Sequence, residues 1–235
     1  MKRLDGKIAL ITGASRGIGA AIAKAYAREG AHCILLARTR GALEELDDEI
    51  GELGGTATLV PMNLKHDKKV DALGPSLFER FAKLDIFVAN AGILGPLSPL
   101  PHVADDDWTN VLNINLTANW RLIRTLGPLL ERSKAGRAIF LTSGAVTKNR
   151  AYWGPYTVSK AALEALAKTW AAEVETTDIR VNLVNPGPVA TGMRAKAMPG
   201  EDPSTIPQPD DLGELFVKLA LPDLTANGEV FDYTP

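Results

Sequence analysis

Short apolar, β-branched runs alternate with longer stretches of helical periodicity from one end of the chain to the other. The runs predict strands over 8–12, 33–37, 56–61, 86–89, 138–142, 181–185 and 230–232. Between them, the periodicity predicts helices over 17–29, 41–53, 68–82, 106–131, 156–175 and 210–221. Strands that are apolar on both sides and separated by helices imply a parallel sheet covered on both faces. The expectation is an α/β fold: a doubly wound parallel sheet of about seven strands, helices on both faces, in a single domain over 1–235. A closed barrel would need eight repeats.

Two segments break the rhythm. Residues 94–103 hold Pro96, Pro99 and Pro101, and residues 199–209 hold Pro199, Pro203, Pro207 and Pro209. Both follow expected strands, on the side where open α/β sheets bind ligands. They are read as a pocket wall and as part of a lid over about 188–210.

The first strand runs into Gly13-Ala14-Ser15-Arg16-Gly17-Ile18-Gly19 and then into an Ala-rich helix. A turn without side chains lets the backbone approach a pyrophosphate, and a helix N-terminus offers it free N–H groups. The second strand ends Leu35-Leu36-Ala37-Arg38. An acid at that end would bond the 2′-hydroxyl of NAD, whereas an arginine suits the 2′-phosphate of NADP. Arg38, with Arg16 in the turn, favours NADP(H) over NAD(H).

Further on, Tyr156 and Lys160 stand four apart, on one face if the stretch is helical, with Ser143 upstream. A phenol titrates near 10, too high for acid/base work at neutrality, and a neighbouring ammonium would lower it. A serine hydroxyl could hold a carbonyl or alcohol oxygen. These groups move protons and cannot accept a hydride, so a cofactor is required.

Composition narrows the partners. Apolar residues make up 46% and charged residues 23% of 235, ordinary for a globular protein. A net charge of -2 gives no electrostatic case for nucleic acid or an anionic membrane. Cys33 is the single cysteine, and His32, His66 and His102 are too far apart for metal-ligand spacing, so no metal is expected. The charged start, Met1-Lys2-Arg3-Leu4-Asp5, does not read as a signal peptide, and no apolar stretch would span a membrane. A cytoplasmic protein is expected.

Taken together, these residues resemble the short-chain dehydrogenase/reductase family in its common short form, over nearly the whole chain. Thr12–Gly19 looks like the family's T-G-x-x-x-G-x-G, and Asn90-Ala91-Gly92 like its N-A-G. Asn115 matches the helix asparagine, and Ser143 lies thirteen residues before Tyr156, the usual spacing. Asn185-Pro186-Gly187 followed by Thr191 resembles the stretch around the nicotinamide end. The resemblance implies a Rossmann-like oxidoreductase with a small carbonyl or alcohol substrate. It makes Tyr156 the general acid in reduction and the base in oxidation. Lys160 would lower the tyrosine pKa and bond ribose hydroxyls, Ser143 would hold the substrate oxygen, and Asn115 would help anchor a water linking Lys160 to solvent. Cofactor contacts are implied for Gly13, Ser15, Arg16, Gly17, Ile18, Gly19, Arg38, Asn63, Leu64, Asn90, Ala91, Gly92, Tyr156, Lys160, Pro186, Gly187, Val189 and Thr191.

There are departures. Asn63 stands where the family commonly has an aspartate toward adenine, and the usual closing glycine pair is missing from 229–235. Pocket neighbours Ile93, Leu94, Ala145, Tyr152, Trp153, Pro188, Met193 and Met198 are mostly apolar and bulky, which points to an apolar substrate. The 106–131 and 156–175 helices carry small residues, and in the resembled family they pack against a partner. A homodimer or homotetramer is therefore expected. The competing reading is a catalytically silent dinucleotide-binding regulator or scaffold. The presence of Ser143, Tyr156, Lys160 and Asn115 together counts against it.

Overall fold

The computed structural model describes residues 2–234. The chain runs β1 (Ile8–Thr12), α1 (Gly17–Arg28), β2 (His32–Ala37), α2 (Arg40–Glu52), β3 (Thr56–Pro61), α3 (Asp67–Asp71), α4 (Leu73–Phe81) and β4 (Ile86–Ala89). It continues through α5 (Asp105–Leu112), a π-helical turn (Asn113–Thr117), α6 (Ala118–Leu130), β5 (Arg137–Leu141) and α7 (Ala145–Lys148). Then follow α8 (Gly154–Glu173), β6 (Arg180–Asn185), α9 (Gly192–Ala197), α10 (Gly213–Leu219) and β7 (Val230–Asp232). The strands form one parallel sheet in the order β3-β2-β1-β4-β5-β6-β7.

Strand side chains alternate between two cores. Ala9, Ile11, Cys33, Leu35, Ile86, Val88, Ile139 and Leu141 face α1, α2 and α10. Leu10, Ile34, Leu36, Phe87, Ala89, Ala138 and Phe140 face α4, α6 and α8. The central strands β1, β2, β4 and β5 are therefore buried on both faces and read as near-continuous apolar runs, while β3 at the edge carries Thr56 and Thr58 and is only partly buried. This is the doubly wound architecture expected, with each expected strand found to within one residue at either end.

Two expected helices are divided. The 68–82 stretch breaks at Ala72 into α3 and α4. Pro75 has no N–H to offer the Asp71 carbonyl. Thr125 of α6 repairs the gap: its Oγ1 donates to Asp71 O at 2.9 Å and accepts from the Gly74 N–H at 3.0 Å. Gly74 is required by this close approach, because a Cβ there would lie 2.0 Å from the Thr125 carbonyl oxygen. The 106–131 stretch is divided by the π-turn at 113–117. At the other end, 210–221 opens as a 3₁₀ turn, Pro209–Leu212, before α10. Helix α8 begins at Gly154, two residues ahead of expectation, with Pro155 in its first turn.

The chain leaves β1 toward β2 and β3, then returns to place β4 on the other side of β1. The crevice at this switch point lies beyond the carboxyl ends of β1 and β4. Gly13 and Asn90 are the residues that follow those ends.

Candidate active site

The glycine turn is built to be tight. Gly13 and Gly17 lie at φ 64° and 57°, the left-handed region that favours glycine. A Cβ on Gly19 would lie 2.4 Å from Gly13 O and 2.5 Å from Asn90 Nδ2. Asn90 donates from Nδ2 to Thr12 O at 2.8 Å and to Gly13 O at 3.1 Å. The buried Thr12 Oγ1 accepts from the N–H groups of Asn90 (3.1 Å) and Ala91 (3.0 Å) and donates to Val88 O at 3.2 Å. Asn90 thus pins the turn with its side chain. The first turn of α1 has no side-chain cap, because Arg16 at the N-cap position carries donors and no acceptor. That leaves N–H groups for an anion.

Ser15 and Ile18 are half-buried in this turn. Arg16 and Arg38 are exposed, and among the described residues neither joins an ion pair. Arg40, in contrast, is held by Glu44 at 2.8 Å. Asn63 uses Oδ1 to accept the Lys65 N–H at 3.1 Å. Leu64 is 7% exposed and turns into the core, which leaves its backbone as the part that could meet a cofactor.

Asn115, fully buried, sits in the middle of the π-turn. Its Oδ1 accepts the Ile93 N–H at 2.8 Å, and its Nδ2 donates to Ile93 O and to Ser159 Oγ, both at 2.9 Å. Ser159 Oγ donates in turn to Tyr156 O at 2.7 Å. One lone pair of the Asn115 carbonyl is taken by Asn119 Nδ2 at 2.8 Å, and a carbonyl has two. A Cβ on Gly92 would lie 3.4 Å from Asn115 Oδ1 and 3.7 Å from Lys160 Nζ, so this glycine keeps the space between them open.

Lys160 donates from Nζ to Leu141 O at 2.7 Å, and Nζ lies 6.0 Å from the centre of the Tyr156 ring. Burial lowers the Lys160 ammonium to about 8. Burial also raises the Tyr156 phenol above its usual value, and the nearby Ser143 hydroxyl lowers it by less. The expectation that Lys160 pulls the phenol down is therefore corrected for the protein alone. Its ammonium is turned to a backbone carbonyl, and loss of water dominates both groups. Ser143 Oγ also accepts the Ala145 N–H at 3.2 Å.

Two loops face this cluster. Trp153 stands edge-on to Tyr156 at 5.9 Å between ring centres. Tyr152 is 59% exposed at φ 72°, and its carbonyl accepts the Ser98 N–H at 3.0 Å. On the other side, Gly187 turns at φ 66° after Pro186, and Val189 is buried. Thr191 caps α9 by accepting the Arg194 N–H at 3.2 Å. Its Cγ2 would lie 3.4 Å from a Cβ on Gly17, so this segment faces the glycine turn. The Ala190 N–H donates to Pro207 O at 2.9 Å and closes the base of the 188–210 loop, and Arg194 clamps Glu201 bidentately within it.

Sequence reasoning did not single out Ser159 or Asn119, which complete the buried network around Asn115, nor Thr12 as a hub. A hydroxyl next to Lys160 and an amide one turn after Asn115 were the available signals.

A sequence model described as short chain dehydrogenase matches residues 7–202. The uncharacterized oxidoreductase YciK of Escherichia coli K12 is 35% identical over 236 residues, covering 99% of this chain and 93% of that protein. A short chain dehydrogenase from Pseudomonas syringae has a similar structure, with TM-score 0.95 at 40% identity over 98% of this chain and 96% of that one. Another, from Shigella flexneri 2a and complexed with NADP, has TM-score 0.95 at 35% identity over 100% and 99%. The chain belongs to the short-chain dehydrogenase family, and it is an oxidoreductase.

Proposed function

We propose that this chain transfers a hydride between NADP(H) and a small, mostly apolar carbonyl or alcohol compound, with Ser143, Tyr156, Lys160 and Asn115 as its proton machinery. The observation that carries this reading is their convergence. Lys160 Nζ and Asn115 Oδ1 both approach Gly92, while the Ser143 hydroxyl is near enough to the Tyr156 phenol to lower its pKa. The residues present fit a dinucleotide. The Gly13–Gly19 turn would take the pyrophosphate, Arg16 and Arg38 the 2′-phosphate, and the Asn63 amide the adenine edge. Tyr156 and Lys160 would meet the ribose, and Pro186, Gly187, Val189 and Thr191 the nicotinamide end. When bound, the nicotinamide supplies or accepts the hydride.

The protein's share is proton handling and alignment. Ser143 Oγ orients the substrate oxygen toward Tyr156. The phenol, kept protonated by burial, donates to that oxygen in reduction. Lys160, held near neutrality by burial, can replace the proton, and the Asn115 backbone carbonyl would offer a water a place on the route to solvent. Trp153 and the apolar loops exclude water from the phenol. The bound NADP in the Shigella flexneri structure supports the phosphate assignment.

Turnover of a ketone and aldehyde panel with NADPH tests the reading, with Tyr156→Phe as control. Loss of the phenol hydroxyl should reduce turnover by about 10²–10⁴-fold. Wild-type turnover in that variant removes the assignment. We also propose a homodimer or homotetramer through α6 and α8, whose outward faces carry Trp120 (44% exposed) and Val158 (43% exposed). Among the described residues, no helix is long and apolar enough to cross a membrane.

A further inference from the structure

Tyr156, Lys160 and Glu164 stand at i, i+4 and i+8 on α8 and form one stripe along it. Each meets the end of β5. The Tyr156 phenol faces Ser143, whose hydroxyl is near enough to lower its pKa. Lys160 Nζ donates to Leu141 O at 2.7 Å. Thr142 Oγ1 donates to Glu164 Oε1 at 2.6 Å. Two successive turns of one helix therefore hold Leu141 and Thr142, and the turn before them faces Ser143. Two of these contacts belong to the site already described, and the third, at Glu164, has no role in it so far.

The Glu164 contact has the form of a strong bond. It is a short hydroxyl-to-carboxylate hydrogen bond, charge-assisted and partly shielded from water. The Thr142 residue is 3% exposed and the Glu164 side chain 18%. Lys168, one turn further on, is 3.8 Å from the other carboxylate oxygen, too far for a hydrogen bond. Beyond Thr142, the sheet no longer guides the chain. The Thr142 N–H donates to Val184 O at 2.9 Å, which is the last bond of the β5–β6 ladder. Ser143 Oγ then finds only the Ala145 N–H within its own turn besides the phenol. The attachment of residue 142 is what sets where residue 143 falls.

Resting on the reductase reading above, we propose that Glu164 is a positioning residue for proton transfer: acting through Thr142, it holds Ser143 Oγ within reach of the Tyr156 phenol. It touches neither substrate nor cofactor. In the sequence, it extends Tyr-x-x-x-Lys to Tyr-x-x-x-Lys-x-x-x-Glu, paired with a threonine before the serine.

Tyrosine labelled with ¹³C at Cζ gives a readout that needs no substrate. The Tyr156 signal is assigned by its loss in Tyr156→Phe, and its titration is followed in the full chain. Burial raises the phenol midpoint and the nearby Ser143 hydroxyl lowers it. Glu164→Ala and Thr142→Val should each move the midpoint further up. Each should also lower kcat about tenfold to a hundredfold, the scale of a misplaced reacting group, with the KM for NADPH unchanged. Glu164→Gln, whose amide oxygen can accept the same bond, should restore both. The Glu164→Ala/Thr142→Val double variant should be no worse than either single one. An unmoved midpoint in Glu164→Ala overturns the inference, whatever happens to Tm. So does a glutamine variant as impaired as the alanine one, or an additive double variant. Failure of the parent reading shows separately, as wild-type turnover in Tyr156→Phe, and leaves the titration result intact.

Discussion

A lysine ammonium buried beside a neutral phenol is costly. Lys160 is lowered from 10.5 to about 8 by burial, so between those values the folded protein binds fewer protons than the unfolded chain. Stability should rise with pH across that window, and below pH 8 the full cost is present. A shift of that size is worth about 3 kcal/mol. Much of it is offset by the bond from this charged donor to Leu141 O, of about 1.5–3 kcal/mol. Lys160→Met should therefore abolish turnover while leaving Tm at pH 7 unchanged or higher by a few degrees, and should flatten the rise above pH 8. Thermal unfolding at pH 7 and pH 10 measures both effects. Arg38→Asp should weaken NADPH binding at least tenfold while leaving NADH binding equal or tighter, because it reverses the charge offered to a 2′-phosphate. Calorimetric titration with each dinucleotide decides this, and tighter NADH binding in the wild type would remove the NADP assignment. At this scale the sequence was informative about which residues come together, since Tyr156 and Lys160 share one face of α8 and Asn115 and Ser143 lie beside them. It was silent about environment. Spacing shows that an ammonium is near a phenol, but not that a carbonyl claims it or that burial outweighs it.

The elements follow the hydrophobic pattern closely, and the misses have physical causes. The break at Ala72 was legible in Gly74-Pro75, where a proline removes a helical donor. Its repair by Thr125, fifty residues away, was not. Gly74→Ala would push a Cβ into the Thr125 carbonyl and should cost about 1–3 kcal/mol, measurable by urea unfolding. The π-turn adds one residue to the helical repeat, and a single change of phase inside one long apolar run reads as continuous helix. Yet it delivers Asn115 to the Ile93 backbone and to Ser159. Asn115→Leu keeps the branching but adds bulk and leaves the Ile93 N–H and C=O without their partner, so it should destabilise by about 3 kcal/mol. Asn115→Ser should lose less if part of the network re-forms, and chemical denaturation of both variants makes the comparison.

Over the whole molecule, a groove of about 710 Å³ between α4 and α6 lies away from the catalytic cluster, lined by Pro75, Phe78, Arg124, Pro128 and Arg132. It adjoins the face with which we propose that copies of the chain associate. Light scattering at micromolar concentration should report a dimer or tetramer, and Val158→Glu should shift it toward monomer; a wild-type protein that is monomeric throughout would remove the proposed assembly. Strand order has a further consequence, for birth on the ribosome. The first three strands add outward from β1 in one direction, and the last four add outward from β1 in the other. Every strand after the first therefore emerges beside a neighbour that has already been made. The exception is the second edge of β1, the middle of the finished sheet, which must wait for β4. At the usual pace of about 5–20 residues per second that edge stays open for several seconds. Until then the strand that leads into the glycine turn, central in the finished sheet, is an edge strand of the nascent one.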